Sequence, residues 1–168
     1  MKFEALLRRT RDLPVIDSRT LRVLGEEPRA LGVQLSRWVA QGRLVQLRRG
    51  LYQLPEGLRV VDPSPLFLAN LLATPSYVSL ESALSFHGLI PERVPLVQSV
   101  TPRRPELVAN PAGTFAYRHV KPDWFFGYRE TPVPGGTALI AEPEKALLDL
   151  VHLSRGDFPE ERIAELRL

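Results

Sequence analysis

The stretch that decides the fold of the N-terminal third is PRALGVQLSRWVAQGRLVQLRRGLYQLP, residues 28–55. Leu31, Leu35, Trp38 and Val39 stand at i, i+4, i+7 and i+8, one apolar stripe of an amphipathic helix. Arg29, Gln34, Ser36, Arg37 and Gln41 occupy the opposite face and its flanks. Pro28 suits the first turn, where its missing N–H would have no partner in any case. Glu26 and Glu27 before it favour the positive end of the helix dipole. Gly42 stands where a left-handed residue ends a helix. The runs LVQL and LYQL then flank the turn Arg48-Arg49-Gly50, which predicts a β-hairpin with a basic tip.

Upstream, FEALLRR (Phe3 to Arg9) reads as a short amphipathic helix. Asp17 or Ser18 can cap a second one, RTLRVLG, by accepting a free backbone N–H, and Gly25 can end it. The order is three helices and then a hairpin within about 55 residues, with basic side chains on the exposed face of the third helix and on the hairpin tip. That combination predicts a winged helix-turn-helix, a helix for the major groove and a hairpin beside it for the backbone or minor groove.

Within that module, Arg29, Gln34 and Arg37 are candidates for base contacts. Arginine can bond guanine O6 and N7 together, and glutamine can do the same with adenine N6 and N7. Ser36 lies on the same face. Arg43, Arg48 and Arg49 would neutralise phosphates, which adds affinity but little sequence information. Trp38 and Tyr52 are expected in the core.

Charge supports the division. Through Arg59 there are twelve Lys/Arg against six Asp/Glu, net +6; from Val60 onward there are ten against thirteen, net −3. A basic third beside an acidic remainder suggests a polyanion-binding module joined to a different one. The expected domains are therefore 1–59, DNA-binding, and 60–168, a small mixed α+β domain.

The second part opens with the connector PEGLRVVDPSP. PLFLANLLA (Pro65 to Ala73) and LESALSFHGL, capped by Ser79, read as helices. LVQSVT, GTFAYRHV, FFGYRET and GTALIAE read as short strands separated by Pro, Gly and Asn. EPEKALLDLVHL reads as a helix opened by Pro143, with Ala146, Leu147, Leu150 and Val151 on one apolar face. DFPEERIAELRL predicts a last helix. The fold class is α+β.

Composition removes several classes of chemistry. With 44% hydrophobic and 24% charged residues the chain reads as a soluble globular protein. No apolar run approaches the roughly 20 residues of a membrane span, and the N-terminus does not read as a signal peptide. There are no cysteines, so disulfides, thiolate nucleophiles and Cys-ligated zinc are out, which suits a cytoplasmic location. His87, His119 and His152 are too scattered for a metal motif, and no metal or cofactor is expected.

Two clusters of residue types could carry catalysis. Glu142, Glu144, Lys145 and Asp149 cluster in eight residues. A nuclease of the PD-(D/E)xK type needs its acid and E-x-K pair on adjacent strands; here Lys145 directly follows Glu144 and both fall on a helix. Surface positions are expected for them, with Asp149 pairing Lys145 at i, i+4. Ser79 and Ser82 fit capping better than nucleophilic chemistry, and His87 before Gly88 fits a helix end. Tyr117, Arg118, His119, Lys121 and Trp124 suggest either a polar patch for a partner or RNA, or an edge strand with exposed charges. The expectation is a non-enzyme. The alternative is a winged-helix protein whose C-terminal domain is a metal-dependent nuclease or a protein-interaction module.

Four segments resemble the AbiEi family of antitoxins: RLVQLRRGLYQLP (43–55), YVSLESALSFHGLIPE (77–92), SVTPRRP (99–105) and IAEPEKALLDLVHL (140–153). The family comprises the antitoxin halves of AbiE-type, type IV toxin–antitoxin systems of phage abortive infection. The resemblance implies a winged helix-turn-helix that represses its own operon through promoter repeats in double-stranded DNA. It also implies a second domain that counteracts a nucleotidyltransferase-type toxin without a stable complex. Carried over by position, the wing is Arg48, Arg49 and Gly50. The antitoxin-domain signature is Ser79, Glu81, Ser82, His87 and Gly88, with Glu142, Glu144, Lys145 and Asp149.

Overall fold

The computed structural model describes residues 2–23, 28–91 and 95–154. Gly25, Glu26, Glu27 and the last expected helix, DFPEERIAELRL, lie outside the described residues, as does the side chain of Arg29. The chain divides into two compact units. The first comprises Met1–Ser64 with Asn110–Ala112 and Pro134–Gly136, and the second comprises the rest. The whole is mixed α+β.

The first unit begins with helix α1 (Phe3–Thr10), which buries Leu6 and carries Arg8 and Arg9 in its last turn. A two-residue strand β1 (Ile16–Asp17) follows, then α2 (Ser18–Val23) and α3 (Pro28–Ala40). Asp17 Oδ1 accepts the Arg19 N–H at 2.8 Å, so the side chain expected to cap α2 does so. The Arg19 guanidinium also grips the same carboxylate, and this hydrogen bonding holds Asp17 below its ordinary value.

Strands β2 (Val45–Arg48) and β3 (Leu51–Gln53) form the expected hairpin. A bulge between Gln46 and Arg48 shifts its register. Strand β1 was not expected. It pairs antiparallel with β3, Ile16 opposite Tyr52, and makes a three-stranded sheet of order β1-β3-β2.

The core of this unit is the apolar stripe of α3 closed from the other elements. Leu31, Leu35 and Trp38 are buried with Leu6, Ile16, Leu21, Leu44, Tyr52 and Leu54, and Phe3, Leu7 and Val39 pack against them. Phe3 meets Trp38 edge-on at 5.5 Å. Fully burying a side chain of this kind contributes about 1.5–3 kcal/mol, so the stripe fixes which face of α3 is left outside.

The second unit is a six-stranded sheet of order β6-β7-β5-β4-β9-β8 with helices. In chain order its elements are α4 (Pro65–Leu72), β4 (Tyr77–Val78), α5 (Leu80–Phe86), β5 (Val97–Thr101), β6 (Glu106–Asn110), β7 (Gly113–His119), β8 (Tyr128–Val133), β9 (Gly136–Ala141) and α6 (Pro143–Leu153). A single 3-10 turn, Pro122–Trp124, precedes β8. Strand β4 is central: it runs antiparallel to β5 and parallel to β9. Strand β5 runs parallel to β7 over five paired residues.

Three expectations are corrected here. Strand β7 lies between β6 and β5, so it is not an edge strand. Tyr117 on it is buried and donates to the Ala69 carbonyl at 2.7 Å, which removes it from any surface patch. On α6 the buried face is Lys145, Ala146 and Asp149, while Val151 is 46% exposed. Ala146 is buried as expected and Leu147 and Leu150 are half-buried, but Val151 turns outward because the charged pair shares the inward face.

Candidate functional site

The exposed face of α3 and the tip of the β2–β3 hairpin carry the residues expected to meet DNA, while Arg8, Arg9, Arg11, Arg19 and Arg22 are further exposed basic residues of the first unit. The buried stripe leaves Gly32, Val33, Ser36 and Arg37 outside, with Gln34 half-buried. Ser36 turns its hydroxyl back to the Gly32 carbonyl at 3.0 Å. Arg43, just past the helix, is exposed and its guanidinium lies over the Phe3 ring at 5.3 Å. A cation over an aromatic face is held by the ring's charge distribution, so Arg43 has a structural role beside any phosphate contact.

Arg48 ends β2 and is half-buried, and Arg49 is exposed in the turn. Gly50 completes that turn with φ +86°, a conformation that side chains rarely adopt. Its carbonyl accepts the Ser18 N–H at 2.9 Å, and a Cβ on it would meet Ser18 Oγ at 3.2 Å. The hairpin tip is thus tied to the start of α2, which fixes where the two arginines stand. Of the residues expected to meet DNA, the structure places Gln34, Ser36 and Arg37 on α3 and Arg48 and Arg49 together at the hairpin tip. Arg43 stands between α3 and the hairpin.

The second unit holds a different cluster, centred on the buried Lys145 and Asp149 and bordered by the half-buried Trp124. Asp149 is fully buried and accepts four hydrogen bonds. Its Oδ2 takes the Tyr77 hydroxyl at 2.9 Å and the Ser79 hydroxyl at 2.7 Å. Its Oδ1 takes the Trp124 indole N–H and the Lys145 ammonium, each at 2.8 Å. Lys145 is 3% exposed; it also donates to the Trp124 carbonyl at 3.0 Å and lies near the rings of Trp124 and Phe126. Gly127 makes room for it, since a Cβ there would come within 2.9 Å of Lys145 Cγ.

The i, i+4 pairing of Lys145 with Asp149 is therefore present, but the surface position expected for Lys145 is not. Ser79 is likewise corrected: it occupies the N-cap position of α5 without capping it, because its hydroxyl goes to Asp149.

The other signature residues do not join this cluster. Ser82 donates to the Leu96 carbonyl and accepts the Gln98 N–H. The Gln98 side chain accepts the Glu81 N–H at 3.0 Å and donates to its carboxylate at 3.1 Å. Between Ser79 and Glu81, Leu80 takes φ +56°, an outlier for so bulky a residue. Gln98 holds that turn by accepting the N–H of Ser79 before it and of Glu81 after it, each at 3.0 Å, against a backbone cost on the order of 1–3 kcal/mol. His87 ends α5 and its Nε2 lies 2.8 Å from the Ala141 carbonyl. Glu142 pairs with Arg129, and Glu144 is exposed at the start of α6.

Sequence reasoning missed Tyr77 in this cluster, although a signal was available. Tyr77 and Ser79 are two apart in an extended segment, so they face the same way. Burial, and then the nearby Asp149 charge, push the Tyr77 phenol far above its ordinary 10.0. The folded form keeps this proton where the unfolded chain loses it. The contribution of Tyr77 to stability is thus complete below about pH 10 and declines as pH rises beyond it. In a tyrosinate absorbance titration Tyr77 should stay un-ionised until the protein unfolds, so Tyr77→Phe should remove one tyrosine's worth of absorbance from the step that accompanies alkaline unfolding; an unchanged step would show that Tyr77 is not held protonated by the fold.

Glu144 and Lys145 lie on α6 and not on adjacent strands, which is not the arrangement of a PD-(D/E)xK centre. Among the described residues no group of three or more His, Asp or Glu could hold a metal ion. No described helix is long and apolar enough to cross a membrane.

Residues 4–55 match the family model described as "Transcriptional regulator, AbiEi antitoxin". The match spans 52 of the 168 residues. It includes RLVQLRRGLYQLP, whereas the segments at 77–92, 99–105 and 140–153 lie beyond it. No curated protein matches the chain. Over its N-terminal unit the chain is similar to the AbiEi antitoxin transcriptional regulators.

Proposed function

We propose that the chain is a DNA-binding autorepressor and antitoxin of a type IV toxin–antitoxin system, acting in the cytoplasm. The first unit is read as a winged helix-turn-helix. The observation that carries this reading is the order α1-β1-α2-α3-β2-β3 with β1 added to the hairpin, which leaves the basic face of α3 and the tip Arg48-Arg49 outside the core. In that arrangement α3 enters the major groove and the hairpin reaches the backbone beside it. Arg37 and Gln34 are assigned to base edges, with Arg29 at the start of the helix. Arg43, Arg48 and Arg49 are assigned to phosphates.

The division of labour follows from charge. The residues through Arg59 carry +6 and those after it −3, so the first unit alone attracts a polyanion. The partner is the chain's own promoter, read at repeats. The second domain, from residue 60 onward, is assigned to opposing a nucleotidyltransferase-type toxin without a stable complex. Of its signature residues, Ser79, Lys145 and Asp149 fall into one buried cluster and Glu81 and Ser82 into the turn that Gln98 holds, while His87, Glu142 and Glu144 stand apart. The burial of Ser79, Ser82, Lys145 and Asp149 suits the shaping of a surface better than chemistry on a substrate.

The test is a gel shift of purified protein on duplex DNA from upstream of its own gene. A retarded band is expected, with affinity falling steeply between about 50 and 200 mM salt. Binding insensitive to salt, or absent at low salt, would overturn the reading. For the second domain, growth arrest by the adjacent gene's product should be relieved by co-expressing this chain, and the two should fail to co-purify.

A further inference from the structure

Among the described residues Val33 is the one large apolar side chain that α3 presents to solvent, at 60% exposure. Folding gives no reason for it. A β-branched residue on an exposed helix face loses side-chain freedom that alanine does not, and it lowers helix propensity. Here it buries little in return.

Its surroundings are shaped for close approach. Gly32 precedes it, and an added Cβ at that position would have no heavy atom within 4 Å. Ser36, one turn on, folds its hydroxyl onto the Gly32 carbonyl, so its polar end faces the helix backbone. Ala30 and Ala40 on the exposed surface are equally small. Arg37 stands four residues after Val33, on the same face. A helix with side chains is about as wide as the major groove; small flanking residues let it sit deeper, so that a short side chain such as valine reaches the floor.

What a valine can read there is limited by chemistry. It has no donor or acceptor, so it cannot use the hydrogen-bonding edges of the bases. The single apolar group on the groove floor is the C5-methyl of thymine. We propose that Val33 contacts a thymine methyl and distinguishes a T·A pair from C·G at one position of the site. The inference rests on the reading of α3 as the helix in the groove, and adds to Arg37 and Gln34 a contact that hydrogen-bond reasoning overlooks.

The experiment begins by enriching sites from a random-sequence duplex pool with the full chain. Each thymine of the enriched site is then replaced singly by deoxyuridine, which removes only the methyl group. For the wild type, one replacement should weaken binding about fourfold, the effect of one buried methyl. Val33→Ala should bind the thymine site about fourfold more weakly and lose nothing further with uracil at that position. Its thermal unfolding should match wild type. Independent, additive losses, or an unchanged affinity of Val33→Ala, would overturn the contact while leaving the DNA reading intact. Failure to enrich any site would overturn the DNA reading, and this inference with it.

Discussion

Replacing Arg48 and Arg49 together by alanine is expected to weaken binding to every duplex about ten- to a hundredfold, without changing which sequence is preferred. Two phosphate contacts fewer should flatten the slope of log affinity against log salt by about 1.8. The double variant should therefore lose most at low salt and approach wild type at high salt. The expectation rests on geometry. Gly50, bonded through its carbonyl to the start of α2, fixes the tip from which both side chains project. Folding should be little affected, because Arg49 is exposed in a turn and Arg48 is half-buried at a strand end. Arg37→Ala makes the contrast: it should lower affinity and also relax base preference, because its contact is assigned to a base edge. A wing double variant with wild-type affinity and slope, measured by fluorescence anisotropy across a salt series, would sink the assignment of the tip to phosphates.

The two units were legible to different depths, for physical reasons. In the first unit the information is local. The stripe Leu31, Leu35, Trp38 is a period, and Gly50 marks a turn that demands positive φ, so the third helix and the hairpin follow from short-range rules. Strand β1 did not, because two residues carry no alternation to detect; it exists only through its pairing with β3. Strand β4 was missed for the same reason. In the second unit the decisive interactions are distant in sequence. Asp149 takes hydrogen bonds from residues 70 and 72 positions away, and nothing near it in the chain announces this. The i, i+4 spacing of Lys145 and Asp149 was visible, but spacing alone reads the same on a solvated face and in a core. Surface positions are the ordinary fate of such residues, and here the rings of Tyr77, Trp124 and Phe126 reverse it.

That reversal gives the second large expected effect. Asp149→Ala should destabilise the second unit by about 3–5 kcal/mol, the usual result of leaving a buried charge without its partner. Lys145 would lose its counterion, and the hydroxyls of Tyr77 and Ser79 and the Trp124 indole would lose their acceptor. A surface pair would cost less than about 1 kcal/mol, so the magnitude separates the two placements. Domain stabilities are of order 5–15 kcal/mol, so the substitution removes a large share of the margin. The readout is available in the sequence, because Trp38 lies in the first unit and Trp124 in the second. With Trp38→Phe as background, urea unfolding followed by Trp124 fluorescence should show a strongly lowered midpoint. Asp149→Asn should fall between, since the amide keeps an acceptor but not the charge. Replacing the pair together, Lys145→Met with Asp149→Leu, should cost less than Asp149→Ala alone, because no unpaired charge is left inside. If the double change proves as damaging as the two single ones added, the pair does not act as one unit and the cluster is not what holds α6 to the sheet.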